Sequence, residues 1–426
     1  MKKLIALLLA LVMVFGMVAC GGNNAEGTNP PAANNDSTEA PSGEVEVTDV
    51  TLKVWAPQED QVDENSWLIK MEAAFAEAHP EYNITWDNGV CPEGDAATMI
   101  TADPSAAADV FMYANDQLGT LIDAGALSKL GGSYLEQVQN DVSATYLNSV
   151  TAPDGSVYGF PVAPNTWFMY YNKDILSEED VKSMEACLAK GIVAFEVKNS
   201  WYLPAFFFAA GGTLFGEAGN DASAGVQFGG EVGEGAVNAV LDLLANPNFK
   251  VDGDGYGNAG LKDGTVAAYF SGSWDYQGLY EALGDKLGAV AAPTVTINGE
   301  AAQLKAYAGS KAVGVNPNAK NPKAAMQFAA FLASADSQLV RFELRNITPA
   351  ATAAAESETV QASIVAVAES STMAYASVAQ PTISAMNPVW DPVAKMGENI
   401  VNGNVTKDNA AEMVQTFYEQ LNSNGL

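Results

Sequence analysis

The chain has 426 residues and a formal net charge of −31, from 51 acidic and 20 basic side chains. A chain this acidic lacks the cationic surface that binding to nucleic acid or to an anionic membrane requires. Its 48% hydrophobic and 9% aromatic content excludes a wholly disordered protein, and its length suffices for two domains. Since the sequence has one histidine, His79, neither an HExxH metal site nor a Ser-His-Asp triad elsewhere in the chain can form.

The N-terminus has the pattern of a secretory signal peptide, predicted to cover residues 1–19. Lys2 and Lys3 precede an apolar run, 4–18, that is shorter than the roughly 20 residues a membrane-spanning helix needs. The sequence MVAC that ends at Cys20 resembles the bacterial lipobox, which implies cleavage before Cys20 and lipidation of that cysteine. The alternative is a plain signal peptide followed by an incidental cysteine.

A polar segment separates this signal from the rest of the chain. Residues 20–48 are rich in Gly, Asn, Pro, Ser and Thr and contain few side chains that a core could bury. Such a composition predicts a flexible tether that holds a globular body away from a membrane. We therefore expect an exported protein, lipid-anchored to the outer face of the cytoplasmic membrane.

Strand and helix patterns alternate in the body of the chain. Residues 50–55 and 82–86 alternate polar and apolar side chains as strands do, and apolar residues recur at helical spacing over 67–75. The apolar run 110–113 is a further strand, with Asp116 just beyond its end. Repeated strand-helix-strand units predict an α/β fold in which ligands bind beyond the carboxyl ends of strands.

Two later helices have clear sequence signals. Asn321 followed by Pro322 predicts an N-cap and a proline at the first helical position, and 325–332 has apolar residues at helical spacing. Residues 413–421 repeat that spacing at the C-terminus.

Motifs for cofactors and metals are weak. Gly255, Gly257 and Gly260 fit G-x-G-x-x-G, but no strand leads into them, which favours a glycine-rich turn. Residues 252–263 place acidic and amide side chains at several positions of a calcium loop, yet Tyr256 occupies a ligand position and the closing glutamate is absent. We expect no metal and no cofactor, and leave calcium at 252–263 open.

Residue counts alone decide neither whether the protein is an enzyme nor whether it contains a disulfide. Paired carboxylates for glycoside hydrolysis can be drawn from 51 acids, although most acids will form a solvated surface. Cys91 and Cys187 could pair in an exported protein. The apolar, helix-like surroundings of Cys187 favour a buried free thiol.

Several aromatic residues stand beside polar or turn residues instead of within smooth apolar repeats. Stacking on aromatic rings suits the C–H faces of sugars, and carboxylates or amides suit their hydroxyl groups. Together these residues favour a carbohydrate cleft. The rings are Tyr113, Trp201, Tyr202, Trp274, Tyr276 and Trp390, and the polar candidates are Asp116, Gln117, Asn165 and Asp391.

The chain resembles the extracellular solute-binding proteins of bacterial ABC importers, most closely the maltodextrin-binding members. The resemblance covers roughly residues 50–424. It rests on AADVFMYANDQLGTLIDAGAL (107–127), DGSVYGFPVA…YYNKDIL (154–176), LKDGTVAAYFSGSW (261–274), AVGVNPNAKNPKAAMQFAAFL (312–332) and VWDP (389–392).

This resemblance implies a two-lobed, Venus-flytrap fold that closes on a sugar by a hinge motion. The lobes would be discontinuous, with lobe I formed by 49–163 and 312–357 and lobe II by 164–311 and 358–426. Three hinge crossings would lie near 160–166, 305–312 and 355–362. It implies a monomeric binding protein without catalysis that delivers an α-1,4-glucan to a membrane permease. The alternatives are a xylo-, fructo- or galacto-oligosaccharide ligand or, from a different class, a surface-anchored glycosidase.

The resemblance also assigns residues to the ligand site. Tyr113 matches a stacking tryptophan, Asp116 an aspartate that accepts sugar hydroxyls, and Trp201 a stacking tyrosine, with Tyr202 the alternative if the alignment slips by one residue. Trp274, Tyr276 and Trp390 match aromatic positions of the family, and Glu59 and Asp60 lie where it often has an acidic-basic pair. Asn165, Gln117 and Asp60 depart from the glutamate, arginine and lysine of the maltose-specific members. This chain thus retains the aromatic residues of the family's ligand site better than the charged ones.

Overall fold

The body of the chain is built around two β-sheets. The structure, a computed structural model, describes residues 47–423. The predicted signal peptide, the lipidation site at Cys20 and most of the predicted tether lie outside the described residues. Within 47–423, no helix combines the length and the apolar character needed to cross a membrane.

The strands and helices follow one another along the whole described chain. The strands are β1 (Thr48–Ala56), β2 (Tyr82–Val90), β3 (Val110–Ala114), β4 (Phe160–Asn165), β5 (Phe168–Asn172), β6 (Val193–Phe195), β7 (Phe249–Val251), β8 (Ala268–Ser271), β9 (Leu287–Val290), β10 (Thr294–Ile297), β11 (Glu300–Gln303), β12 (Ala306–Val315) and β13 (Ser377–Ala379). The α-helices are α1 (Trp67–Ala78), α2 (Ala96–Thr101), α3 (Leu118–Asp123), α4 (Gly132–Asp141), α5 (Ala144–Ser149), α6 (Met184–Leu188), α7 (Pro204–Ala209), α8 (Gly230–Ala245), α9 (Tyr256–Asp263), α10 (Tyr276–Leu283), α11 (Pro322–Leu332), α12 (Ala335–Arg345), α13 (Thr352–Ala355), α14 (Glu358–Gln361), α15 (Ile364–Tyr375), α16 (Trp390–Val401) and α17 (Ala410–Ser423). Single 3-10 turns lie at Gln58–Asp60, Glu93–Asp95, Asn115–Gln117, Asp180–Lys182, Ala222–Ala224, Ser273–Asp275, Gly284–Lys286 and Ser384–Val389.

The first sheet and its helices form the first lobe. Its strand order is β13-β12-β3-β1-β2, and β4 also pairs with β12. β1 is parallel to β2 and β3, whereas β12 is antiparallel to β3 and β4. Leu52 and Val54 of β1 and Trp67, Leu68 and Phe75 of α1 are buried in one core, so both sequence patterns are confirmed.

The second sheet and its helices form the second lobe. Its order is β7-β6-β8-β5-β9, with β6 parallel to β7 and β8 and with β5 antiparallel to β8 and β9. The core between this sheet and helices α7, α8, α16 and α17 contains Phe206, Val240, Val393 and Phe417. The predicted C-terminal helix is therefore confirmed.

Each lobe is built from separate segments of the described chain. β4 belongs to the first sheet and β5, two residues later, to the second. After β9 and the β10–β11 hairpin, β12 returns to the first sheet. α12 then lies against α1 of the first lobe, and α15 against β9 and β5 of the second. The predicted two-lobed α/β fold with discontinuous lobes is thus confirmed, while its boundary residues stay predictions.

Two local motifs have roles in packing. The Oδ1 atom of Asp252 accepts the backbone N–H groups of Gly253 and Gly257 at 2.8 Å each, which fixes the turn into α9. A Cβ added at Gly257 would lie 2.3 Å from the other carboxylate oxygen of Asp252, so this glycine is required by close packing. In the described part of the chain, no group of three or more His, Cys, Asp or Glu side chains could hold a metal ion.

Asn321 stands at the N-cap position of α11, as the sequence predicts, but its side chain makes no capping hydrogen bond. The helix does begin at Pro322, but the Nδ2 atom of Asn321 donates to the carbonyl of Thr51 at 3.0 Å. The side chain therefore joins the start of this helix to β1.

The two cysteines of the described residues are free and buried. Cys91 lies in the core of the first lobe and Cys187 in the core of the second. No disulfide joins them in the described part.

Candidate functional site

An exposed tryptophan marks a place where the two lobes face each other. Trp274 lies in the 3-10 turn after β8 and is 44% exposed, which is unusual for a side chain of its size. The ring centroid of Trp201 is 6.0 Å away, and Nζ of Lys311, from β12 of the first lobe, is 5.6 Å from the Trp274 centroid. Here the interlobe pocket is lined by Glu59, Glu93, Lys311 and Arg345 of the first lobe and by Ser273 and Trp274 of the second.

Ion pairs support the first-lobe wall of the interlobe pocket. The Nη2 atom of Arg341 lies 2.6 Å from Oδ2 of Asp60 and 3.4 Å from Oε1 of Glu93. Nη1 of Arg345 lies 2.8 Å from Oδ1 of Asp60, and Nζ of Lys311 lies 3.6 Å from Oε2 of Glu93. Two acidic and three basic side chains therefore form one connected network.

Asp60 is placed differently from the sequence prediction. It is fully buried, and both of its carboxylate oxygens are in ion pairs. Burial alone would raise the pKa of Asp60, but the guanidinium groups of Arg341 and Arg345 outweigh burial and hold the pKa below its usual value. Asp60 therefore positions two arginines, whereas its exposed neighbour Glu59 lines the pocket.

A second group of polar and aromatic side chains surrounds the end of β3. This Asp116 group consists of Asn115, Asp116, Asn165, Tyr307, Gln380 and Trp390. The Nδ2 atom of Asn165 lies 3.3 Å from Oδ1 of Asn115 and 3.3 Å from Oε1 of Gln380. The ring of Trp390 lies 6.0 Å from that of Tyr307, between centroids. The group combines residues of the first sheet with Trp390 of the second lobe.

Burial shifts the pKa values of ionisable side chains in the Asp116 group. Two hydrogen-bond donors of the group also have no partner among the described residues. Burial raises the pKa of Asp116 to about 6. Burial also raises the pKa of Tyr307, and the nearby Asp116 charge adds to that rise. The hydroxyl of Tyr307 and Nδ2 of Asn115 are buried with no hydrogen-bond partner among the described residues. Since buried polar groups nearly always have partners, these two donors fit a ligand that supplies acceptors.

Tyr113 does not reach either site in this structure. It is fully buried in the first-lobe core, and its hydroxyl donates to the carbonyl of Tyr158. A Cβ at Gly159 or Gly314 would lie 3.2 Å or less from the Tyr113 side chain, so these glycines make room for the ring. In this structure Tyr113 packs in the core, and its contact with a ligand stays a prediction.

Gln117 is likewise engaged inside the first lobe. Its Oε1 accepts the backbone N–H of Ala97, and its Nε2 donates to the carbonyl of Gly94. The side chain fixes the start of α2, where the sequence predicted a ligand contact.

The remaining predicted residues divide between the surface and the core. Trp201 lies next to Trp274, whereas Tyr202 is buried and stacks on Trp167 with centroids 5.2 Å apart. Tyr276 is half-buried and stacks on Tyr280 at 5.5 Å. Asp391 is exposed in the first turn of α16, beside Trp390. The structure thus joins Trp201 with Trp274, and Asp116 and Asn165 with Trp390.

Sequence reasoning missed Tyr307, Lys311 and Glu369. Tyr307 and Lys311 lie in β12, whose other residues are small or apolar. A phenol and an ammonium in such a strand are a sequence signal that could have indicated functional residues. Glu369 lies on the buried face of α15 between Ala368 and Thr372, where a single acid in an apolar helix gives a weaker signal.

The arrangement is suited to holding a polar molecule that also has apolar faces. Trp201, Trp274 and Trp390 offer ring surfaces, while carboxylate, amide and hydroxyl groups lie beside them. The charged groups of the interlobe pocket are mostly paired with one another. Such a site binds chiefly by stacking and hydrogen bonding.

Comparisons with known proteins identify the family to which the chain is similar. The family model of the bacterial extracellular solute-binding proteins matches residues 70–367. A maltooligosaccharide ABC transporter solute-binding lipoprotein of Streptococcus pneumoniae is 26% identical over 430 residues, which cover 95% of this chain and 93% of that relative.

Solved structures extend the likeness to the fold. A protein solved with acarbose has 45% identity and a TM-score of 0.84, covering 88% of this chain and 99% of the other. A maltodextrin-binding protein from L. casei, solved without ligand, has 26% identity and a TM-score of 0.80, with coverage of 88% and 99%.

Proposed function

Because the chain belongs to the bacterial extracellular solute-binding protein family, we propose that it is the binding component of a carbohydrate ABC importer. Its ligand is an oligosaccharide, most specifically a maltodextrin of α-1,4-linked glucose, held between the two lobes. The two lobes close on the sugar and present it to a membrane permease. The protein binds without catalysis and acts as a monomer.

The observation that carries the proposal is the pair of Trp201 and Trp274 at the interlobe pocket. Their centroids are 6.0 Å apart, and Trp274 keeps 44% of its surface exposed although it is among the largest apolar side chains. Exposed indoles in a cleft provide flat surfaces for sugar rings. The maltooligosaccharide lipoprotein of S. pneumoniae and the structure solved with acarbose support the choice of ligand class.

The Asp116 group supplies the polar half of the site. Asp116 accepts hydrogen bonds from sugar hydroxyls, and the unpaired donors of Tyr307 and Asn115 supply hydrogen bonds to sugar oxygens. Trp390 forms an apolar wall beside them. Glu59, Asn165 and Asp391 remain proposed contacts at the edges of the cleft.

A lipid anchor places the protein where a permease operates. Cys20, at the end of the MVAC sequence, carries the lipid, and the segment 20–48 tethers the two lobes to the outer face of the cytoplasmic membrane. The lipoprotein name of the S. pneumoniae relative supports this location.

Calorimetric titration of the purified protein tests the proposed ligand. We expect dissociation constants in the micromolar range or below for maltotriose and maltotetraose, and no binding of xylo-, fructo- or galacto-oligosaccharides. Binding confined to one of those other sugars would keep the mechanism and replace the ligand. Absence of binding to every sugar in the panel would contradict the proposal.

Product analysis separates binding from hydrolysis. Prolonged incubation with maltotetraose should leave it intact. Release of glucose or maltose that disappears when a single carboxylate is replaced would identify a glycosidase instead.

A further inference from the structure

A carboxylic acid is buried where the two lobes meet. Glu369 lies on α15, which packs on β9 and β5 of the second lobe, and it is 1% exposed. The Ser273 hydroxyl of the second lobe, the Thr348 hydroxyl and the Lys311 ammonium of the first-lobe strand β12 all lie close enough to influence its ionisation. Ser273 and Lys311 also line the interlobe pocket, so Glu369 lies directly behind its wall.

One carboxylate oxygen of Glu369 has no hydrogen-bond partner among the described residues. Its Oε2 atom and Oγ1 of Thr348 are both buried without a hydrogen-bond partner in the region 47–423. Burial raises the pKa of Glu369 to about 7, although the hydroxyls of Thr348 and Ser273 and the charge of Lys311 act in the opposite direction. One buried oxygen of this acid is therefore still free to accept a hydrogen bond, with the Lys311 ammonium nearby.

The other ionisable groups that face Glu369 are neutral. Tyr146 of α5 and Tyr170 of β5 both lie near it, and burial raises the pKa of each phenol above its usual value. β9, which also packs on α15, carries no ionisable side chain along Leu287–Val290. Lys311 is therefore the positive charge that most directly stabilises an ionised carboxylate at this position.

We propose that Glu369 is a positioning residue of the ligand cleft, which engages Lys311 when the lobes close and thereby couples sugar binding to the loss of a proton. This proposal rests on the proposed function, because it requires an oligosaccharide that closes the lobes. Glu369 acts through the Ser273 hydroxyl, next to Trp274, and through Lys311, which lies over the Trp274 ring.

The direction of the effect follows from the groups around the acid. Closure brings the Lys311 ammonium of the first lobe towards Glu369 of the second, so the closed form stabilises the carboxylate and lowers its pKa. Ligand binding then releases a proton. By linkage, affinity increases as the pH rises through about 7 and is lower when Glu369 is protonated.

The test compares maltotetraose binding by the purified protein and its variants at pH 6 and pH 8. For the wild type we expect about a three- to tenfold tighter dissociation constant at pH 8, the size that a pKa change of up to one unit produces. Calorimetry in buffers of different ionisation enthalpy should detect proton release on binding at pH 7. Glu369→Gln should abolish both the proton release on binding and the difference in affinity between pH 6 and pH 8. Its affinity at either pH should be near that of the wild type at pH 6.

Glu72→Gln is the matched control. Glu72 is also buried, its pKa is also raised to about 7 by burial, and its Oε1 is also unpaired among the described residues, but it lies on α1 and meets Asn88 of β2. This variant should keep the full pH dependence of binding. If Glu369→Gln keeps it too, the role of Glu369 is overturned while the proposed function stands.

A second variant keeps the test decisive if Glu369→Gln does not fold. Thr348→Val removes one donor beside the acid without altering the pocket lining, and should move the midpoint of the pH dependence to higher pH. An unchanged midpoint would overturn the proposal. If the wild type binds no α-glucan at either pH, the proposed function fails and this proposal fails with it.

Discussion

The ammonium of Lys311 lies over the ring of Trp274, with 5.6 Å between Nζ and the ring centroid. The contact joins a strand of the first lobe to a turn of the second across the interlobe pocket. A cation-π contact of this kind contributes about 0.5–1 kcal/mol when it is partly solvated. Trp274 therefore has a defined position before any ligand stacks on it.

Replacing Trp274 with alanine should weaken maltodextrin binding by about 1–3 kcal/mol, because a stacking surface and its buried area are lost. Since Trp274 is 44% exposed, the ligand-free protein should keep its melting temperature. Isothermal titration and thermal unfolding measure the two effects. Tyr256→Ala, which removes a ring of 41% exposure outside the pocket, should change neither quantity. An unaltered dissociation constant in Trp274→Ala would remove this residue from the site.

Replacing Tyr113 should affect stability before it affects binding. The ring is fully buried, so Tyr113→Ala should lower the free energy of unfolding by about 3–5 kcal/mol through the cavity it leaves. Tyr113→Phe loses only the hydrogen bond to the Tyr158 carbonyl and should cost about 1 kcal/mol. Urea denaturation of the ligand-free protein measures both. Normal stability with impaired sugar binding in Tyr113→Ala would show that the ring contacts the ligand instead.

Glu72→Gln should stabilise the protein at alkaline pH. Burial raises the pKa of Glu72 to about 7 from 4.5, so the folded state binds the proton more tightly than the unfolded state does. The charged form therefore destabilises the fold fully above pH 7, and this penalty disappears as the pH falls to about 4.5. The variant should gain about 1–3 kcal/mol at pH 8 and nothing at pH 4.5 in urea denaturation. Glu77→Gln, at an exposed position of the same helix, should show no such pH-dependent gain.

Cys20→Ala tests the lipid anchor. The variant should be released into the medium or accumulate as an unlipidated precursor, because the proposed acceptor thiol is missing. Membrane fractionation with detection of the covalent lipid measures this outcome. Cys187→Ala provides the comparison, since that thiol is buried and lies far along the sequence from the N-terminal signal. Lipid-linked membrane association of Cys20→Ala would contradict the assignment.

Local periodicity predicted much of the fold. The alternation of Leu52 and Val54 and the helical repeat from Trp67 to Phe75 reflect which faces are buried, and burial is the property that such patterns record. Trp274 also stood out, because a glycine and a serine precede it in a predicted turn. The N-cap position of Asn321 is also predicted correctly, but its side chain donates to the carbonyl of Thr51, distant in sequence, and makes no capping hydrogen bond.

The surroundings of several predicted site residues depend on contacts between distant segments. Tyr113 and Asp116 lie three residues apart, yet the ring packs inward because Gly159 and Gly314 leave space for it. Asp60 is buried because Arg341 and Arg345, on a helix far along the chain, neutralise it. Glu369 and Lys311 come near each other only because α15 lies against the second sheet and β12 has returned to the first. No short sequence window contains those relationships.

The two buried thiols allow the unfolding of each lobe to be measured separately. Burial raises the pKa of Cys91 to about 11 and that of Cys187 to about 12, so neither is reactive while its core is intact. Because Cys91 belongs to the first-lobe core and Cys187 to the second, alkylation at each site records the loss of a different core. The sequence in which the two halves of this molecule come apart can thus be followed with its natural side chains, without an added probe.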